Sequence, residues 1–170
     1  MPAIRLALRE ATAEDHRRVD EAFGRFDLAE ADAYADFLEA HARALPAIEA
    51  AVSAAAPDAP VEPRADWLMA DLKALKRPAP RPIELPPLSE AAAWGMAYVA
   101  EGSRLGGAIL AGRVGEGLPA NYLSARHGPG KWRSFQEALE SAGDGQGEAW
   151  LEEAKRGAKA AFALFEAATR

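Results

Sequence analysis

The sequence contains no cysteine and only three histidines in 170 residues. Without cysteine, a disulfide scaffold, an iron–sulfur cluster held by thiolates, a cysteine zinc site and a thiol nucleophile are all excluded. Basic residues are also in the minority, because 20 Lys and Arg stand against 26 Asp and Glu, a formal net charge of −6. That balance argues against nucleic-acid binding. Any chemistry must therefore depend on very few imidazoles or on a bound cofactor.

Long apolar runs are missing as well. The first twelve residues are interrupted by Arg5, Arg9 and Glu10, which is unlike a secretory signal peptide. The longest apolar run, residues 91–100, is far shorter than the roughly 20 residues that cross a bilayer. We therefore expect a cytoplasmic protein without a membrane span. The length predicts one domain over residues 1–170.

The composition predicts an all-α fold with six or seven helices, because Ala, Leu and Glu are abundant and no segment alternates with period two. The proline-rich segment 76–87 is predicted to be an extended connection. Helix signals predict helices over 4–23, 65–75, 131–141 and 148–168. A further helix is predicted to begin near residue 30 and to bend or break at Pro46. Another is predicted to begin at an N-cap, Ser89, and to end near residue 113.

Glycine is unusually frequent in the predicted helix after Ser89, although each interior glycine costs about 1 kcal/mol relative to alanine. The densest cluster is EGSRLGG, residues 101–107. Gly102 and Gly106 are four residues apart and share a helix face, with Gly107 beside them. A face of bare backbone lets a flat ligand approach closely, and it also lets two helices pack tightly. The spacing leaves both interpretations open.

His16 lies within an apolar stripe at helical spacing and is predicted to point toward the core; the stripe is Leu8, Thr12, His16, Val19 and Phe23. Asp20, one turn later, is placed to accept a hydrogen bond from the imidazole, as in many metal-ligating histidines. The alternative is a core histidine satisfied by Asp20 or by a backbone carbonyl. His41 is predicted to be solvated, and His127 to lie on a surface loop.

A single axial imidazole together with a glycine-rich helix would suit a haem held between two helices, with the sixth iron position open for dioxygen. Residues 8–16 (LREATAEDH) resemble the opening signature of the haem oxygenases, whose histidine is the proximal iron ligand. Residues 98–107 (YVAEGSRLGG) resemble the distal-helix motif of that family, especially of its bacterial branch that makes biliverdin for phytochromes. Segments 64–75 and 152–166 are also similar to the family, so the resemblance covers nearly the whole chain.

The resemblance implies an all-α haem-oxygenase-like fold and oxidative opening of haem to biliverdin, carbon monoxide and ferrous iron, with dioxygen and electrons from an external reductant. It assigns His16 as the proximal ligand and Asp20 as the carboxylate that hydrogen-bonds it. Gly102 and Gly106 take the places of the distal glycines that lie against the haem and steer dioxygen. Thr12 and Gly107, which belong to the same two motifs, are expected to contact the haem.

Two arginines are candidates for the haem propionates under this resemblance. Arg9 occupies the position of a basic residue that meets a propionate. Arg133 is a second candidate in a region where loop lengths vary. For both residues the alternative is a solvated surface cation. Arg104, at this spacing a surface residue, is given no role.

Ser103 stands where many haem oxygenases have an aspartate that organises the water of the distal pocket. A hydroxyl cannot act as a carboxylate, so either Ser103 takes part in the reaction in another way or it hydrogen-bonds back to its own helix. Two other functions therefore stay open. One is a module that binds haem or another tetrapyrrole without turnover, and the other is a helical protein without haem.

The electron donor is not identified by the sequence. Lys73, Lys76, Arg77 and Arg81 form a candidate docking face for an acidic ferredoxin or another reductase, or else a solvated surface. The likeness to the phytochrome-associated branch makes a phytochrome a candidate acceptor for biliverdin.

Overall fold

The computed structural model describes residues 3–170, which form seven α-helices and no β-strand. The all-α prediction is therefore confirmed for this part of the chain. The helices are α1 (Ile4–Ala11), α2 (Ala13–Gly24), α3 (Ala31–Ala55), α4 (Ala65–Ala74), α5 (Glu90–Ala111), α6 (Lys131–Gly143) and α7 (Glu148–Ala168).

The close crossing of α5 and α7 is the central contact of the fold. A Cβ built on Gly95 of α5 would collide with the backbone of Ala154, and one on Gly157 of α7 would collide with the backbone of Ala92. Each glycine therefore lets the other helix approach to backbone distance. Tight helix packing explains these two glycines fully, and the pair fixes where α5 lies.

The other helices are arranged around this crossing. Helix α3 packs against α4, α5 and α7, while α1 and α2 pack against α7, and α6 contacts α1 and α5. The large side chains of α3 that fill the core are Tyr34, Phe37, Leu38, Leu45 and Ile48. A single cluster of buried apolar residues includes members of all seven helices.

Two helix boundaries differ from the prediction. The first helix is divided at Thr12, whose φ of −109° and ψ of 6° depart from helical values. Thr12 is also buried, and its hydroxyl donates to the Leu8 carbonyl at 2.7 Å, a local bond that competes with regular helix geometry. Pro46, in contrast, does not end α3, because Leu45 and Ile48 on either side of it are fully buried and their packing offsets the lost backbone hydrogen bond.

The start of α5 agrees with the prediction. Ser89 has extended backbone geometry, and its hydroxyl accepts a hydrogen bond from the Ala92 amide at 3.2 Å, as an N-cap does. The segment before it, 76–87, has no regular structure and is attached to α3 where the Ile83 amide donates to the Arg43 carbonyl at 2.8 Å. Helices α4 and α7 also match their predicted ranges closely.

Among the helices of residues 3–170, none is both long enough and apolar enough to cross a membrane.

Replacing Gly95 with Ala should destabilise the fold by about 2 kcal/mol or more, because the new methyl group overlaps the Ala154 backbone and the two helices must separate. Urea unfolding followed by circular dichroism measures the change. Gly24→Ala is the matched control, since a Cβ built there would meet no described atom within 4 Å beyond its chain neighbours and the nearby backbone of its own helix. An equal loss of stability in both variants would contradict the close crossing.

Candidate active site

One face of α5 is open. Tyr98, Gly102, Leu105, Gly106 and Ile109 lie on it at helical spacing, and two of its large apolar side chains are well exposed, Leu105 at 52% and Ile109 at 67%. Apart from its chain neighbours and the nearby backbone of its own helix, a Cβ on Gly106 would meet no described atom within 4 Å, and a Cβ on Gly102 would make one ordinary contact, 3.5 Å from Trp132. Packing within the chain therefore requires glycine at neither position. The alternative of tight helix packing fails for this pair.

Gly107 belongs to a different face of the helix. It is buried, and a Cβ there would lie only 3.2 Å from the Leu123 carbonyl oxygen, so Gly107 allows the connection before α6 to approach α5. The contact of Gly107 with a haem stays a prediction, and in this geometry its lack of a side chain is already explained by packing against Leu123.

A cleft of about 450 Å³ lies beside the open face, between α5, the start of α6 and the connection that joins them. Leu105, Ala108 and Trp132 form its apolar walls. Arg133 stands at its rim, where it is 85% exposed and pairs with Glu137 at 3.1 Å. Arg133 is thus a solvated cation at the mouth of the cleft. His16, on α2, does not line this cleft.

His16 does not point into the core, as the apolar stripe predicted. Its side chain is 63% exposed, and its ring stacks on Phe162 of α7 with 5.3 Å between ring centroids. The break at Thr12 explains the error, because α2 does not continue the stripe of α1. The Nε2 atom lies 3.5 Å from the Asp20 carboxylate, which is also exposed. The core-histidine alternative is therefore excluded, and the imidazole is accessible to a ligand.

Thr12 uses its hydroxyl within its own helix turn. The residue is 3% exposed, and the hydroxyl donates to the Leu8 carbonyl at 2.7 Å. The contact of Thr12 with a haem stays a prediction, and it would not involve the proton of this hydroxyl.

Arg9 is exposed on α1 and close enough to the open face of α5 to affect Tyr98. Burial raises the pKa of the Tyr98 phenol, while the positive charges of Arg9 and Arg5 oppose that rise. Two cations and a phenol hydroxyl thus gather near one end of the open face, a combination that suits an anionic group. Tyr98 is a further candidate that the motif did not single out, although its position one turn before Gly102 on the same face is a signal of helical spacing.

The Ser103 hydroxyl is engaged within the protein. It donates to the Ala100 carbonyl at 2.7 Å and accepts a hydrogen bond from Arg64 Nη2 at 2.7 Å. The back-bonding alternative is therefore the one observed. Its proton is not directed toward the open face.

Behind α5 lies a group of buried charged side chains that the sequence analysis did not anticipate. Arg104, predicted to be on the surface, is buried and donates to the carbonyls of Ala125, at 2.9 Å, and Glu62. His127 is buried too and donates from Nε2 to Glu101 Oε2 at 2.9 Å. Arg104 Nε is 3.3 Å from the same oxygen without making a hydrogen bond. These residues attach the connection before α6 to the rear of α5.

His41 also differs from the prediction, which was a solvated side chain. It is partly buried, its Nδ1 is 2.6 Å from the Tyr122 hydroxyl, and its ring contacts aromatic side chains of three helices, Phe23, Phe37 and Phe165. Burial, with a smaller effect from the positive charge of Arg64, lowers the pKa of His41 to about 3. The ring is therefore neutral near pH 7.

The four residues of the candidate docking face do not form a cluster of uncompensated positive charge. Arg77 pairs with Asp36 and Glu39, each at 3.0 Å, and Arg81 pairs with Glu84 at 3.2 Å. Lys73 and Lys76 are exposed. The geometry thus favours the solvated-surface alternative for this segment.

Within the described part of the chain, no group of three or more His, Asp or Glu side chains is arranged to hold a metal ion. Of the candidate residues, Gly102 and Gly106 share the open face of α5, and His16 is exposed on α2. Both α2 and α5 pack against α7. The arrangement is that of a helical protein with a bare backbone face and one accessible imidazole.

Comparison with known proteins identifies the family. The chain is 35% identical to a haem oxygenase of Xanthomonas campestris pv. campestris (strain 8004), over 80% of this chain and 88% of that protein. Its fold is similar to that of the NO- and CO-bound haem oxygenase from Neisseria meningitidis, with a TM-score of 0.85 and 26% identity, over 100% of this chain and 92% of that one. No protein-family model matches the chain. The chain belongs to the haem oxygenase family.

The environment of His41 predicts a pH dependence of stability. The unfolded chain takes up a proton near the ordinary pKa of about 6.5, whereas folded His41 does so only near 3. The free energy of unfolding should therefore fall as the pH drops from about 6.5 toward 3, by at most about 1.4 kcal/mol per pH unit from this residue.

Urea unfolding at pH 7 and pH 5 measures the effect. His41→Gln, which keeps a partner for the Tyr122 hydroxyl, should reduce the difference between the two pH values, and His16→Gln at an exposed site should not. An unchanged pH dependence in His41→Gln would show that other groups cause the loss at low pH.

Proposed function

We propose that this protein is a haem oxygenase that opens the haem ring to biliverdin, carbon monoxide and ferrous iron, using dioxygen and electrons from an external reductant. Family membership supports the activity. The observation that carries the proposal is the pair Gly102 and Gly106, two helix-interior glycines that packing does not require and that face open space or an ordinary contact. Because each glycine costs about 1 kcal/mol in a helix, a ligand that needs bare backbone explains their presence.

The residues fit a haem. The open face of α5 is flat where Gly102 and Gly106 lie, and apolar where Leu105 and Ile109 follow. When bound, the haem supplies the redox chemistry and the site of dioxygen activation, while the protein binds and orients it. His16 would hold the iron through its accessible imidazole. Asp20, already beside the ring, would orient it and raise its basicity.

The glycines would determine how closely α5 covers the ring. With no side chain at Gly102 or Gly106, the helix backbone itself can lie against one ring face. The same backbone would exclude water from that face and limit the space next to the ring edge. In this way the helix would favour attack at one position of the ring without contributing an ionisable side chain.

The propionates would lie near Arg9, since carboxylates form their strongest hydrogen bonds with guanidinium groups. Arg5 and the Tyr98 hydroxyl are near the same place and extend the proposed site. Arg133, at the rim of the cleft, is a second candidate. To bind a propionate, Arg133 must break its ion pair with exposed Glu137 or contact both carboxylates at once.

The finer assignments rest on the motif YVAEGSRLGG, with Ser103 in the position of the aspartate. It supports membership of the phytochrome-associated bacterial branch, with a phytochrome as acceptor of biliverdin. A ferredoxin or another reductase would supply electrons. We also propose that residues 1–170 act as a single domain in the cytoplasm.

One observation favours a second function. The proton of Ser103 is directed to the Ala100 carbonyl, so Ser103 offers no free proton to the open face near Gly102. A module that binds haem or another tetrapyrrole without turnover would need none. Reconstitution with hemin, followed by ascorbate or a ferredoxin system, separates the two. Loss of the Soret band and appearance of biliverdin absorbance support the enzyme, whereas a stable hemin complex supports the binding module.

His16→Ala should abolish the absorption signature of the axial imidazole in the hemin complex, because the chain then lacks the proposed ligand. Added imidazole should restore the signature. Arg17→Ala, an exposed neighbour on α2, is the matched control and should leave the spectrum unchanged. A spectrum of His16→Ala identical to that of the wild type would exclude His16 as the ligand.

Gly106→Ala should raise the stability of the ligand-free protein by up to about 1 kcal/mol, because alanine is the better helix former and no described atom from another part of the chain lies within 4 Å of its methyl group. It should also slow haem turnover or change the biliverdin isomers, since the methyl group enters the space proposed for the ring. Urea unfolding and chromatography of the products test both effects. A variant that gains stability and keeps full, unchanged turnover would contradict a haem at this face.

A further inference from the structure

Arg64, at the start of α4, reaches α5 with a buried side chain. It is 4% exposed, and its Nη2 donates to the Ala100 carbonyl at 2.8 Å and to the Ser103 hydroxyl at 2.7 Å. Both acceptors lie on the turn of α5 that carries Gly102. Arg64 thus holds the glycine-rich part of α5 from the side away from the open face.

The backbone of Arg64 is held in place by α3. The Glu49 carboxylate of α3 accepts hydrogen bonds from the backbone amides of Arg64, at 2.7 Å, and Ala65, at 3.3 Å. The guanidinium lies over the Tyr122 ring, 5.2 Å from its centre. Tyr122 is held in turn, because Asp71 Oδ2 accepts a hydrogen bond from its amide at 2.9 Å.

The position of the α5 turn that carries Gly102 depends on contacts such as those of Arg64. On the open side, a Cβ built on Gly106 would meet no described atom beyond its chain neighbours and the nearby backbone of its own helix, and one built on Gly102 would meet one side chain, that of Trp132. The position of this turn is therefore determined by contacts on the side of α5 that faces away from the open face. The two hydrogen bonds of Arg64 are charge-assisted, as are those that Arg104 donates to the carbonyls of Ala125 and Glu62, but of these two arginines only Arg64 binds the Ala100 carbonyl and the Ser103 hydroxyl of the turn that carries Gly102.

We propose that Arg64 is a positioning residue that sets, through Ala100 and Ser103, how closely the Gly102–Gly106 face approaches the haem ring. It touches neither the substrate nor the reacting atoms. The inference rests on the proposed haem oxygenase activity for its effect on products, but not for its effect on α5 itself. It also gives Ser103 a role as the acceptor through which Arg64 holds the helix.

The test uses Arg64→Lys, which keeps a positive charge near the partly buried Glu49 but lacks the planar guanidinium that serves both acceptors. In the ligand-free protein, amides of residues 102–107 should exchange with solvent roughly tenfold faster, as expected for the loss of one such hydrogen bond. With hemin, the axial-ligand spectrum should be retained. The biliverdin isomer ratio should change, a result that a purely stabilising role of Arg64 would not produce.

Arg43→Lys is the matched control. Arg43 also donates to a helix carbonyl, that of Ala168 on α7, at 2.9 Å, but does not contact α5 through this bond. It should change neither the exchange of residues 102–107 nor the isomer ratio. Ser103→Ala removes one acceptor of Arg64 and should give a smaller effect in the same direction. The double variant should match Arg64→Lys alone, because the two residues act through one contact.

Unchanged exchange of residues 102–107 in Arg64→Lys overturns the proposal. If that variant does not fold, unchanged exchange in Ser103→Ala overturns the proposed role of the Arg64–Ser103 hydrogen bond, one of the two bonds through which Arg64 holds α5. If the wild type binds hemin without forming biliverdin, the proposed activity fails, and the exchange measurement still decides whether Arg64 positions α5. If the wild type and Arg64→Lys both turn over haem and give the same biliverdin isomer ratio, Arg64 does not control how closely the Gly102–Gly106 face approaches the haem ring.

Discussion

The backbone contact between α5 and α7 is the constraint on which the rest of the structure depends. Gly95 and Gly157 remove the side chains that would hold the two helices apart, and α7 then serves as a common support for α1, α2, α3 and α5. The open face of α5 and the exposed imidazole on α2 are both positioned by this one helix. The glycines of α5 therefore fall into two groups, one that joins helices and one that leaves a surface bare.

The two groups look alike in the sequence. Gly95, Gly102 and Gly106 all interrupt a helix with good helix-forming neighbours, and spacing alone cannot separate packing from ligand approach. The structure separates them through what a methyl group would meet: the backbone of Ala154 in one case, and open space at Gly106 in another. This distinction gives the proposed haem face a physical basis beyond its likeness to a family motif.

Much of the fold could be predicted from the sequence, because helix ends carry local signals such as the Ser89 cap and the glycine turn before α7. Of the candidate site, Gly102, Gly106 and His16 could be selected from motif and spacing. The exposure of His16 could not be predicted, because a single departure from helical geometry at Thr12 breaks the apolar stripe. The buried charges could not be predicted. Arg64 meets Ser103 across 39 residues and His127 meets Glu101 across 26, and no local pattern reports such pairs.

Gly102 and Gly106 also affect how long the protein persists in a cell. They lower the stability of the folded, ligand-free chain in exchange for a surface that a ligand can cover. A ligand that binds the native state shifts the folding equilibrium by mass action, and molecules without it spend more time in forms that proteases attack. The amount of this protein should thus follow the supply of the compound that it consumes, without any separate regulator.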